Sequence, residues 1–155
     1  MQFLKKLLVA VGIAGVSTSA MSGNDIASKA SMAAQQAVET AKKVDGTVLD
    51  YSPNSLKSID KIVLNLRRDG LKPEEIPGIL FILGAYVGEV IVRHIPGAQW
   101  SEPPKEAQAG GLTVIGVTTK DGIFWNPVGK VHKLLMNGEV DSVSFFFEAV
   151  SAKHR

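Results

Sequence analysis

The chain has 155 residues, 45% of them hydrophobic, and no cysteine, so it is long enough for one domain with one core and must hold that domain together by apolar packing, without disulfides. Its 17 basic and 15 acidic residues leave a small positive balance that belongs to the leader, because without Lys5 and Lys6 the two signs are equal in number. A neutral remainder argues against nucleic acid or anionic lipid as a partner.

Residues 1–22 read as a secretory signal peptide. Lys5 and Lys6 form its charged start, residues 7–16 its apolar run, and Ser17-Thr18-Ser19-Ala20 its small-residue exit. The run is too short to span a bilayer. Cleavage after Ala20 or Ser22 suits the small-residue rule, and the lack of cysteine excludes a lipidated cysteine at the new terminus. A periplasmic or secreted, soluble mature protein is expected, with residues 23–155 as a single domain.

Residues 25–44 are alanine-rich, with Ile26, Ala30, Ala33, Ala34, Ala37, Val38 and Ala41 at helical spacing. Small side chains bury little area each, so this helix is expected as an outer layer of the domain, with a partly mobile helix or a partner contact as the alternatives. Asp45-Gly46 stops it, residues 47–51 are extended, and Ser52-Pro53 opens the next helix with a capping hydroxyl and a proline in the first turn. Leu56, Ile59, Ile62, Val63 and Leu66 form its core-facing stripe, and Gly70 ends it. Lys57, Asp60, Lys61, Arg67 and Arg68 are expected on a solvated face. Lys72-Pro73-Glu74-Glu75 is another helix start, with acid at the positive dipole end.

The stretch 78–100 organises the rest. It is apolar around nearly its whole circumference yet carries Glu89, which predicts a central, wrapped helix at about 78–95. Fourteen residues, 79–92, span about 21 Å, whereas a bilayer core needs roughly 20 apolar residues. Pro77 and Pro96 bracket the run, and Glu89 interrupts it. Gly84 and Gly88 lie four apart on one face, where a second element can approach closely. Glu89 has two readings: a partly buried carboxylate tied to Arg93, a tyrosine or a backbone donor, or a general acid or ligand-binding group. Nothing nearby in sequence supplies a second catalytic group.

Residues 101–111 read as a loop. Residues 112–117 and 123–125 are apolar runs about an Asp121-Gly122 turn, so a hairpin is predicted at about 112–125. Asn126-Pro127 gives a turn or a helix cap, a short helix follows from about 128 to 136, Asn137-Gly138 ends it, and a last helix at 142–152 presents Val143, Phe146, Phe147 and Val150, with Phe145 extending the apolar surface. The expected fold is therefore α+β: N-terminal helices around a buried central helix, a small antiparallel sheet and two short C-terminal helices.

Leu49-Asp50-Tyr51-Ser52, Ser55-Leu56, Ile59-Asp60, Gly84-Ala85-Tyr86-Val87-Gly88-Glu89-Val90, and Gly97 with Trp100 occur in that order. Together they resemble the signature of a family of small bacterial proteins, many of them exported and of unassigned function. The resemblance implies a small α+β domain with two packed helices feeding a short sheet, and it implies no chemistry.

No glycine-rich phosphate loop, metal-spaced histidine pair or Gly-x-Ser-x-Gly turn is present, and no metal or cofactor is expected. His94, His132 and His154 are scattered, with His132 an ordinary surface residue between Lys130 and Lys133. Tyr86, Trp100 and Trp125 are expected to face one another around the sheet, as core or as the wall of a cleft. In the cleft reading Glu89 and Arg93 are its polar groups, and Glu102, Lys105 and Glu106 on the following loop gate it or contact a partner. Two functions follow. One is a non-catalytic envelope module that binds another protein, most concretely an immunity or inhibitor protein neutralising a toxin. The alternative is a small-ligand binder or minor hydrolase using Glu89 in a pocket between helix and sheet.

Overall fold

A helix needs its first amide donors satisfied, and Ser22 does this for the first one. The computed structural model describes residues 22–155, so the predicted signal peptide lies, but for Ser22, outside the described residues. The Ser22 hydroxyl and the Asp25 carboxylate accept each other's backbone N–H, a capping box that starts α1 (Gly23–Asp45). The alanine stripe of α1 is buried together with Ile26, Thr40 and Val44, and its most extensive partner is the central helix. Its small side chains let the two helices lie close.

After Gly46, residues 47–51 pair with no strand. Val48 points outward, Leu49 is buried in the core, and the segment ends at Tyr51 with a left-handed φ of 61°. Ser52 caps a 3₁₀ turn (Pro53–Ser55) that leads into α2 (Leu56–Arg68), whose predicted stripe is buried at every position. A second 3₁₀ turn (Pro73–Glu75) delivers the chain to the central helix α3 (Pro77–His94).

Every residue of α3 from 82 to 91 is buried. By length and composition α3 could cross a membrane, yet 67% of its span is buried inside the fold, against α1 on one side and the first C-terminal helix on another. The two glycines make that packing geometrically possible. A Cβ on Gly84 would sit 2.5 Å from the Val128 Cα, and one on Gly88 2.2 Å from the Trp100 ring. The close approach expected of this face is thus to a helix at one glycine and to a strand's indole at the other.

The three-stranded antiparallel sheet has the order β1-β2-β3, with β1 (Gln99–Ser101), β2 (Gly116–Thr118) and β3 (Phe124–Trp125). The predicted hairpin is β2–β3, shorter than 112–125, turning through Asp121 and a left-handed Gly122. The stretch 101–111 is not wholly a loop: Ser101 belongs to β1, and Pro104 leads into the short α4 (Lys105–Ala109). Asn126 then caps α5 (Pro127–Asn137), accepting from the Gly129 N–H at 2.7 Å. A 3₁₀ turn (Glu139–Asp141) joins it to α6 (Val143–Ala152), which buries Val143, Phe147 and Val150. Phe145, expected to enlarge the core surface, stands 68% exposed instead, because the first turn of α6 places it toward solvent.

Candidate functional site

Position 86 sits one turn before Glu89 on α3, and its hydroxyl starts a hydrogen-bonded chain. The Tyr51 N–H donates to the Tyr86 hydroxyl at 2.8 Å, and that hydroxyl lies 2.6 Å from the Ser55 Oγ. Ser55 spends its own proton on the Ser52 carbonyl at 2.6 Å, so Tyr86 must be the donor to Ser55. Burial raises the Tyr86 pKa, opposed by the Tyr51 N–H that its oxygen accepts.

Tyr51 is held on every side. Its ring stacks on Tyr86 with centroids 4.9 Å apart, and the Arg93 guanidinium lies 3.6 Å over its ring. Its carbonyl accepts from the His94 Nε2 at 2.8 Å. Burial raises the Tyr51 pKa, and the Arg93 charge opposes it. A non-glycine residue in the left-handed region costs about 1–3 kcal/mol, and these contacts hold it there.

Arg93 links this half to the carboxylate. Its Nε donates to Glu89 Oε1 at 3.2 Å, the ion pair expected from the i+4 spacing. Ser31 of α1 donates to the same oxygen at 3.3 Å, and the Trp100 indole N–H of β1 donates to Oε2 at 3.0 Å. Glu89 is only 7% exposed, so one carboxylate fastens α1 and β1 to α3 from inside the fold. Neither tyrosine nor a backbone donor bonds to it; the indole takes that place.

The structure brings Tyr86, Glu89, Arg93 and Trp100 into one clasp and leaves Trp125 out of it. Strand register sets Trp100, Val117 and Trp125 in one cross-strand row, with Val117 between the indoles. The Trp125 ring meets Phe146 edge-on at 5.9 Å, and its N–H donates to Thr119. The expected cluster of three aromatics is therefore two separate contacts, one at the helix α3 and one at α6. Glu102, Lys105 and Glu106 are exposed and bond to no member of the clasp. Among the described residues no group of three or more His, Cys, Asp or Glu side chains is placed to hold a metal ion.

Two residues read as solvated do other work. Asp60 of α2 accepts from the Ser142 hydroxyl at 2.7 Å, the Val143 N–H at 2.7 Å, and both the hydroxyl and N–H of Ser144. It supplies the negative charge that the N-terminus of α6 favours. Arg67 donates to the Leu135 and Met136 carbonyls at the C-terminal end of α5. Neither role leaves a mark in the local pattern, since both partners lie far along the chain.

Beside Asp60, α2 faces the 3₁₀ turn at Glu139 and the start of α6 across an open groove of about 630 Å³, with Leu64 and Phe145 as its apolar walls over the buried Leu134 of α5. These features define a small, mostly helical α+β domain with a polar clasp in its core and an apolar groove on its surface. The chain belongs to a family of unknown function (DUF6278), which matches residues 8–126 and so takes in the whole clasp but neither α5 nor α6. Neither a curated protein nor a solved structure matches the chain.

Proposed function

We propose that the chain is an exported, non-catalytic module of the bacterial envelope that binds another protein. The observation that carries this reading is the apolar surface open at the C-terminal helices. Phe145 is 68% exposed on the groove wall, and Val140, on the adjoining 3₁₀ turn, is 83% exposed. Exposed apolar side chains beside a groove in a rigid helical frame are what a protein interface requires. The state of Glu89 supports the same reading: both its oxygens accept bonds from elements of the fold, which gives it a structural task. An immunity or inhibitor protein that neutralises a toxin is the most concrete form.

Affinity capture from the envelope and secreted fractions of the native bacterium tests this, with the full chain tagged at its C-terminus and expressed with its own leader. One stoichiometric protein is expected on the wild type and lost on Phe145→Asp. Recovery of the chain only from the cytoplasm, or capture of nothing beyond an exported control, contradicts it. Toxicity of the partner expressed alone decides the immunity form.

A further inference from the structure

We propose that the groove between α2 and α6 docks an acidic amphipathic segment of the partner, one that turns an apolar side chain into the groove and carboxylates toward its α2 rim. This rests on the protein-binding reading and names the partner's chemistry.

Charge carries the inference. Lys57, Lys61, Leu64 and Arg68 follow one another by four, three and four residues, so they share one face of α2. From 57 to 68 that face runs about 16 Å. Lys57 and Lys61 are exposed, and no carboxylate among the described residues pairs with either. Of the two carboxylates at the groove, Asp60 is turned inward and consumed by the start of α6. Glu139, on the opposite wall, is the other. The α2 rim is therefore a line of cations with an apolar trough beside it.

The spacing selects the occupant. A single headgroup or phosphate places its charge at one end and leaves the rest of the line unmatched. A peptide helix with an acidic residue at each turn meets cations spread over about 16 Å while its apolar side chain meets Leu64 and Phe145. One wall of the groove comes from the family-matched span and the other from residues beyond it.

The test selects binders to the full chain from a display library of random peptides about 16 residues long, enough to cover this face as a helix. Fluorescence anisotropy then measures the enriched peptides. They are expected to carry several carboxylates and an aromatic or large aliphatic residue, and to weaken as salt rises. Affinity should fall about tenfold or more with Lys57→Glu/Lys61→Glu, with Phe145→Ser, and when the peptide's carboxylates become amides. The exchanged side chains are exposed, so the melting temperature should stay within a degree or two of wild type, and Lys43→Glu on α1 should bind normally. Peptides without acidic bias, or acidic peptides indifferent to these exchanges, overturn the proposal. So does decanoate binding that depends on Lys57 and Lys61 and displaces the peptide, since that makes the groove an amphiphile site. A partner lost on Phe145→Asp but captured equally by wild type and Lys57→Glu/Lys61→Glu sinks this proposal alone; capture of no partner sinks the protein-binding reading itself.

Discussion

Glu89 accepts on both oxygens, and that decides what a neutral isostere does. In Glu89→Gln the amide oxygen keeps the buried Trp100 indole N–H only by turning the NH₂ toward Ser31 and Arg93, so the part-buried ion pair with Arg93 is lost. A loss of about 1–3 kcal/mol in urea unfolding is expected. Unchanged stability would free Glu89 for chemistry and revive the pocket-enzyme reading. Tyr86→Phe removes the middle of the Tyr51–Tyr86–Ser55 chain and should cost a similar amount by the same measurement. Because burial raises the Tyr86 and Tyr51 pKa values, the folded state holds these phenolic protons more tightly than the unfolded chain. Stability is then full below the ordinary tyrosine range and falls as pH rises through it, with 295 nm absorbance and unfolding advancing together. Gly88→Ala gains about 1 kcal/mol of helix propensity but drives a Cβ into the Trp100 ring, so net destabilisation of about 1–2 kcal/mol is expected in the same unfolding assay.

At the scale of elements, α2 buries one stripe and uses its polar face to hold both C-terminal helices. Asp60→Ala should destabilise by about 1–3 kcal/mol and speed hydrogen exchange in α6 above all, since four donors lose their acceptor there. Lys57→Ala, one turn before it, should change stability by less than about 0.5 kcal/mol. That contrast separates a residue that fastens the fold from one available to a partner. The joint after α5 has an acid sensitivity as well. The Lys130 hydrogen bond, with help from Asn137, holds the Asp141 carboxyl below the usual aspartate range. Its contribution is present above that range and is lost as pH falls through the lowered value, so Asp141→Asn should flatten the acid limb of the stability profile. Periodicity made the α2 stripe, the central helix and the capped start of α5 legible in the sequence, because each is set by neighbours within one or two turns. Asp60 and Arg67 looked like surface charge because their partners are helices far along the chain. The i+4 spacing revealed Arg93 beside Glu89; only the folded chain brings Ser31 and Trp100 to the same carboxylate.

Over the whole molecule, Tyr51, Ser55, Tyr86, Glu89, Arg93 and Trp100 gather into the clasp, where they join α1, the Tyr51 loop, α3 and β1. Their hydrogen bonds are with one another and with the fold, and the groove lies apart, between α2 and helices outside the matched span. That division assigns structure to the clasp and recognition to the groove. The most direct test is a backbone-amide NMR map of the full chain on adding the captured partner or a selected acidic peptide. Shifts concentrated on the outer face of α2 and the first turn of α6, with Ser31, Tyr51, Arg93 and His94 unmoved, are expected. Shifts centred on those four residues with a silent groove would contradict it, and would place recognition on the clasp.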